Sequence, residues 1–184
     1  MKKTILLVLL FMLILPISKL SAQESKTYKH IFGINPLGLL INIYSGHYSS
    51  IMNDGDVEIN IPFFYWNEPL GVDDLSLIGL GVKYRIYKDG DNRGVFYGGG
   101  ISIFSISWDY TPIFSSTTES ISATTFTPKG EIGYRINWEN GFTLAPDLEL
   151  GYTVGTVEAS DGTEADFGSA GMSWGIGIGA AWRF

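Results

Sequence analysis

The sequence contains no cysteine. A disulfide, a thiolate nucleophile and a cysteine-ligated metal centre are therefore excluded. Charge is scarce, at 17% of 184 residues, and the 12 bases are outnumbered by 19 acids, for a formal charge of -7. That balance argues against nucleic acid as a partner, because phosphate binding needs a basic surface. Long apolar runs are missing too, with one exception. Ile5 to Ile17 is apolar apart from Pro16, follows Lys2 and Lys3, and is followed by the small residues Ser21 and Ala22. This is the layout of a secretory signal peptide over residues 1–22, and the run is too short to span a bilayer comfortably. No cysteine follows it, so a lipoprotein is not expected. Residues 23–184 amount to one domain. Without Lys2, Lys3 and Lys19 they carry 9 bases against 19 acids, a charge of -10.

What is abundant is glycine, with 23 residues, and aromatic side chains, at 14%. They are ordered with a period of two. From Gly171 to Phe184 the even positions are Met, Trp, Ile, Ile, Ala, Trp and Phe, and the odd positions are mostly Gly. Such alternation is a β-strand with one broad apolar face. A soluble sandwich would place polar residues opposite that face. Here the opposite face is nearly bare, as in a strand with lipid on one side and a narrow barrel interior on the other. Gly175-Ile176-Gly177-Ile178-Gly179 lies inside this strand and lacks the Gly-x-x-Gly continuation and helix of a dinucleotide loop.

Seven more segments carry the pattern. Tyr28–Asn35 is a short strand ending at Asn35-Pro36-Leu37-Gly38. The next is expected over Leu39–Met52, with Leu39, Ile41 and Ile43 on one face. Val57, Ile59, Ile61, Phe63 and Tyr65 form an apolar face, as do Ile78, Leu80, Val82, Tyr84 and Ile86. Val95–Trp108 changes phase, which predicts a β-bulge near Ile103-Phe104. Ile132, Tyr134 and Ile136 precede the hairpin signal Glu139-Asn140-Gly141, and Leu144, Leu148, Leu150 and Tyr152 follow it. Turns alternate between short (53–56, 88–94, 139–141) and long (67–74, 109–125, 155–170). The fold expected is an all-β, eight-stranded antiparallel up-and-down transmembrane β-barrel, with the short turns periplasmic.

Opposite the apolar faces lie Glu58, Lys83, Arg85, Lys129, Glu131, Arg135, Asp147, Glu149 and Arg183. A barrel of about eight strands is just filled by its side chains. Charges cut off from water need partners, and both signs are present on neighbouring strands, so these nine are expected to form an ion-pair network closing the lumen. The alternative is a selective pore.

The three long loops hold Glu68, Asp73, Asp74, Asp109, Glu119, Glu158, Asp161, Glu164 and Asp166, with no Lys or Arg. A solvated rim accounts for them. The alternative is divalent-cation binding by Asp161, Glu164 and Asp166, or a bridge to lipopolysaccharide phosphates. The residue types suit calcium, but the spacing is not that of an EF-hand.

The stretch His47-Tyr48-Ser49 resembles that of the PagL lipid A deacylases, outer-membrane barrels with a His, Ser and Glu site. That resemblance implies His47, Ser49 and Glu58 as catalytic residues. If the face of Leu39 and Ile41 continues, His47 and Ser49 point outward. The chain from 23 to 184 also resembles the small outer-membrane barrels of the OmpA-barrel and OmpX type. Phe32–Leu40 and Gly79–Arg85 look like segments of an uncharacterised barrel family of Bacteroidota. These resemblances imply the outer membrane of a Gram-negative bacterium as the location. Outer-membrane lipids and lipopolysaccharide are the expected surroundings, and the barrel assembly machinery the expected partner of the strand ending in Phe184. The OmpA-barrel and OmpX resemblance carries across no catalytic residue. The expectation is a monomeric structural or surface-contact barrel without catalysis or cofactor; a lipid A deacylase, or a small channel or binder of an apolar molecule, stands as the alternative.

Overall fold

The computed structural model describes residues 28–35, 38–68, 74–110, 119–159, 164–166 and 171–184. The expected signal peptide lies outside them. The strands are β1 (His30–Ile34), β2 (Ile43–Met52), β3 (Val57–Asn67), β4 (Leu75–Tyr87), β5 (Gly94–Tyr110), β6 (Glu119–Asn137), β7 (Phe142–Ala159), β8 (Glu164–Asp166) and β9 (Gly171–Arg183). Each of β1 to β7 pairs antiparallel with the next, β7 pairs with β9, and β9 returns to β1. Eight strands therefore close one up-and-down barrel. The short β8 pairs only with the far end of β7, beyond β9.

Strand alternation decides what faces where. On β4, Ile78, Leu80, Val82 and Tyr84 are exposed, while Lys83, Arg85 and Tyr87 are buried. On β6, Ile132 and Tyr134 are exposed while Glu131 and Arg135 are buried. Tight turns join the strands at one end. Asn53, Asp54 and Gly55 all take positive φ in the turn before β3, and Gly141 (φ 86°) does so before β7. This is the backbone that Asn, Asp and Gly adopt most readily.

Three expectations need correction. Residues Gly38–Ile41 form a single 3₁₀ turn, and Asn42 follows at φ 60°, so β2 begins only at Ile43. The break resets the phase: Tyr44, Tyr48 and Met52 face out, and Ser49 faces in. Second, there is no bulge at Ile103-Phe104. The β4–β5 register runs unbroken from Leu75↔Trp108 to Tyr87↔Phe96. Phe104 points into the barrel instead, 6.0 Å from the ring of Phe64, in the space left by Gly79. Third, parts of the expected long loops are strand: 119–125 belongs to β6, 155–159 to β7, and 164–166 is β8.

Candidate functional site: a charged plug and the cavities above it

The eight interior charges on β3, β4, β6 and β7 form one connected cluster. Its centre is Glu58 on β3, fully buried. Its carboxylate accepts from Arg85 Nη1 at 3.2 Å, from Arg135 Nη2 at 3.2 Å and from Asn92 Nδ2 at 3.0 Å. Tyr87 donates its hydroxyl to the same group. Arg85 also grips Glu131 with two donors, Nε at 2.7 Å and Nη2 at 3.1 Å. Lys83 donates to Glu131 at 3.0 Å and to Glu149, and Lys129 donates to Glu149 at 2.7 Å. The guanidinium of Arg85 lies over Phe96 at 4.8 Å, and that of Arg135 over Tyr87 at 5.5 Å.

Local structure explains how β4 reaches β6 across β5. Gly98 stands between Arg85 and Glu131 in the ladder, and Gly100 between Lys83 and Lys129. Neither has a side chain to block the crossing. A Cβ there would stand 2.2 Å from the carbonyl oxygen of Tyr84 or Val82. Four acids face four bases in the cluster, so its formal charge is zero. Buried ions are tolerated on that condition, with lone pairs and N–H groups satisfied together.

Arg183 is the exception among the nine. It lies over the ring of Tyr28 at 4.5 Å and donates to the carbonyl of Trp138 at 3.1 Å. As the last inward position of β9, it sits at the turn end, and no carboxylate pairs with it among the described residues. Conversely, the plug uses Asn60, Tyr87 and Asn92, which the sequence expectation left out. Tyr87 continues the inward parity of Lys83 and Arg85 and was within reach of that rule. Asn92 was not, because it comes from a turn whose side chain folds back to Glu58 and Arg135.

The carboxylates of Glu131, Asp147 and Glu149 lie within 4.8 Å of one another. They surround the Lys83 ammonium, which stands 3.9 Å from Asp147. A lysine is thus their resident cation. Of the three acids considered for calcium, Asp161 lies outside the described residues, as do the side chains of Glu164 and Asp166. Of the rim, Glu68, Asp74 and Glu119 are exposed, Asp109 accepts from Ser120 Oγ at 2.6 Å, and Asp73 lies outside the described residues, as does the side chain of Glu158.

His47, Ser49 and Glu58 all face the interior, so the outward placement expected for the first two is overturned by the phase break at Asn42. Ser49 Oγ accepts from Asn60 Nδ2 at 2.9 Å. His47 Nε2 is buried without a hydrogen-bond partner among the described residues, and no hydrogen bond joins His47 to Ser49 there. Above the plug lie two cavities. One, of about 360 Å³, is bordered by His47, Asn60, Phe64 and Phe104 and by the plug residues Lys83, Arg85, Lys129, Asp147 and Glu149. The other, of about 250 Å³, is bordered by the hydroxyls of Thr125, Thr127, Thr153 and Ser173. Comparison with known protein families, with curated proteins and with solved structures yields no match to this chain.

Proposed function

We propose that the protein is an integral barrel of a Gram-negative outer membrane, with a plugged lumen and a structural, envelope-integrity or surface-contact role. The observation that carries this reading is an inverted exterior. Large apolar residues point outward on every one of the eight barrel strands, including Phe32, Tyr44, Phe63, Leu80, Ile103, Ile132, Leu150 and Trp174. The eight plug charges point inward and pair with one another. In water such an exterior would be a contiguous apolar surface far beyond what a monomer carries. In a bilayer a closed sheet with an apolar outside is one of the two viable solutions.

The plug supports a non-conducting lumen. The inward placement of His47, Ser49 and Glu58 gives the deacylase alternative no support, since such chemistry requires the groups to meet a lipid. The partners proposed are outer-membrane lipids, lipopolysaccharide and the assembly machinery that would read the strand ending in Phe184, with the barrel as a monomer.

Cell fractionation with heat-modifiability on a gel tests the reading, repeated on a variant lacking Phe184. Outer-membrane recovery with a heat-dependent mobility shift is the expected result. Recovery as a soluble periplasmic protein without a shift would overturn it.

A further inference from the structure

The barrel closes unevenly. β9 pairs with β7 along Gly171–Trp182, but with β1 only along Ala180–Arg183. β1 is short because Asn35 turns the chain. Its N–H bonds to Ser45 O at 2.8 Å, and its side chain accepts from Gly38 N at 3.2 Å. The direction of the free groups on β9 follows from the paired part. His30 and Phe184 exchange both backbone bonds, at 3.1 and 2.9 Å, while Arg183 N bonds to Gly141 O at 2.8 Å. Even residues of β9 therefore address β1, and odd residues address β7. Met172, Trp174, Ile176 and Ile178 turn their N–H and C=O toward β1, and no described residue pairs with them there. Their side chains agree. Met172, Trp174 and Ile176 are 74–75% exposed, against 49–54% for Tyr152, Leu150 and Leu148 directly beside them.

The larger cavity lies behind this gap, because its border includes Ile34 and Asn35 on one side of the seam and Gly177 and Gly179 on the other. His47, with its buried and unpartnered Nε2, reaches the same place: its ring lies against the positions where Gly33 and Gly179 would carry a Cβ.

We infer that the half-open β1–β9 seam is a lateral portal through which a neutral single-chain amphiphile inserts its hydroxyl-bearing head into the lumen cavity. This rests on the membrane reading above. The chemistry follows from the walls. The interior charges are mutually paired, so a charged head would lie without a counter-ion. The groups left for it are His47 Nε2 and the Asp147 carboxylate inside, the latter reached only by Lys83 at 3.9 Å, and at the slot the N–H and C=O groups of β9 that no described residue meets. A bilayer core offers those backbone groups no partner, and a hydroxylated head does. The chain of the amphiphile stays outside, along Trp174, Ile176 and Ile178. A cavity of about 360 Å³ is within the range of small-ligand sites and holds a glycerol-sized head.

The test uses the whole barrel in lipid nanodiscs. The natural chain has no cysteine, so Gly175→Cys gives one labelling site for a nitroxide. A Cβ at 175 meets nothing within 4 Å and enters the smaller, neighbouring cavity. Titration with monolauroylglycerol should change the label's mobility saturably, with one probe per barrel. Glycerol alone should not. Adding Gly179→Leu should weaken the response at least about tenfold by filling the larger cavity, where a Cβ has only ordinary contacts. His47→Leu should weaken it about fivefold, the worth of one hydrogen bond, and His47→Gln should restore it. A non-saturating response, or one indifferent to Gly179→Leu, is mere partition into the bilayer and overturns the inference. A response that follows protein concentration instead of the probe assigns the edge to a second copy and overturns it too. A protein that never enters the nanodisc or shows no heat-dependent shift fails the membrane reading itself, whereas an inserted barrel that ignores the probe fails the portal alone.

Discussion

The two ends of the barrel are built on opposite terms. At the tight-turn end, each strand edge is paired and each plug charge is met by an opposite one. Glu58 alone receives five side-chain donors, from Asn60, Arg85, Tyr87, Asn92 and Arg135. At the loop end the interior is hydroxyl, glycine and aromatic, and one seam is unpaired among the described residues. The difference originates in one short strand. β1 has five residues, whereas β6 has nineteen. A barrel is only as closed as its shortest strand, so tight packing at one end coexists with an edge that no described residue pairs at the other. The lesson is that an antiparallel barrel does not need uniform closure to be well determined. Paired buried ions hold one end, while at the other no described residue pairs with the edge of β9.

The contrast is broken most severely at Glu58. Glu58→Ala leaves Arg85 and Arg135 buried without their carboxylate, and removing one member of such a group costs about 3–5 kcal/mol. Urea unfolding of the barrel in lipid vesicles should report a loss of that size. Asp109→Ala, at the exposed rim, should report almost none. Gly100→Val attacks the plug by geometry instead. A side chain there must push against the β4 backbone and the Lys83 side chain, with an overpacking cost of about 1–3 kcal/mol in the same unfolding assay.

A third measurement sharpens the comparison without changing a residue. In amide hydrogen exchange, Trp174, Ile176 and Ile178 should exchange fast, while their odd neighbours Gly175, Gly177 and Gly179 stay protected by β7. Uniform protection along β9 would mean that the seam is covered. Among the interior glycines the smallest effect is expected from Gly175→Leu. Its Cβ enters empty space, so stability should shift by less than about 1 kcal/mol, in contrast to Gly100→Val on the same kind of interior face.

Much of this was legible in the residues. The alternation in Gly79-Leu80-Gly81-Val82-Lys83-Tyr84-Arg85 assigned those side chains to the correct faces, and the same rule placed Glu131, Asp147 and Glu149 inside. It failed at β2 because one left-handed residue, Asn42, resets the parity, and parity carries no memory across such a break. It failed at Phe104 for a different reason. An apolar residue on the inner face looks like a slip, whereas the absent side chain of Gly79 makes room for it across the strand pair. Arg183 was assigned to the network by parity alone, but height along the barrel put it beside Tyr28 and Trp138.

The sequence by itself determined which side chains share a face within an unbroken strand, because a strand backbone fixes the side-chain period at two wherever it runs. It also determined that the interior charge is nearly balanced, because composition does not depend on folding. Tertiary structure decided which acid meets which base, since that depends on the register between strands and on how far a side chain reaches across a glycine. It alone decided how far β1 and β9 pair, because the length of a seam is a property of two strands brought together from distant parts of the sequence.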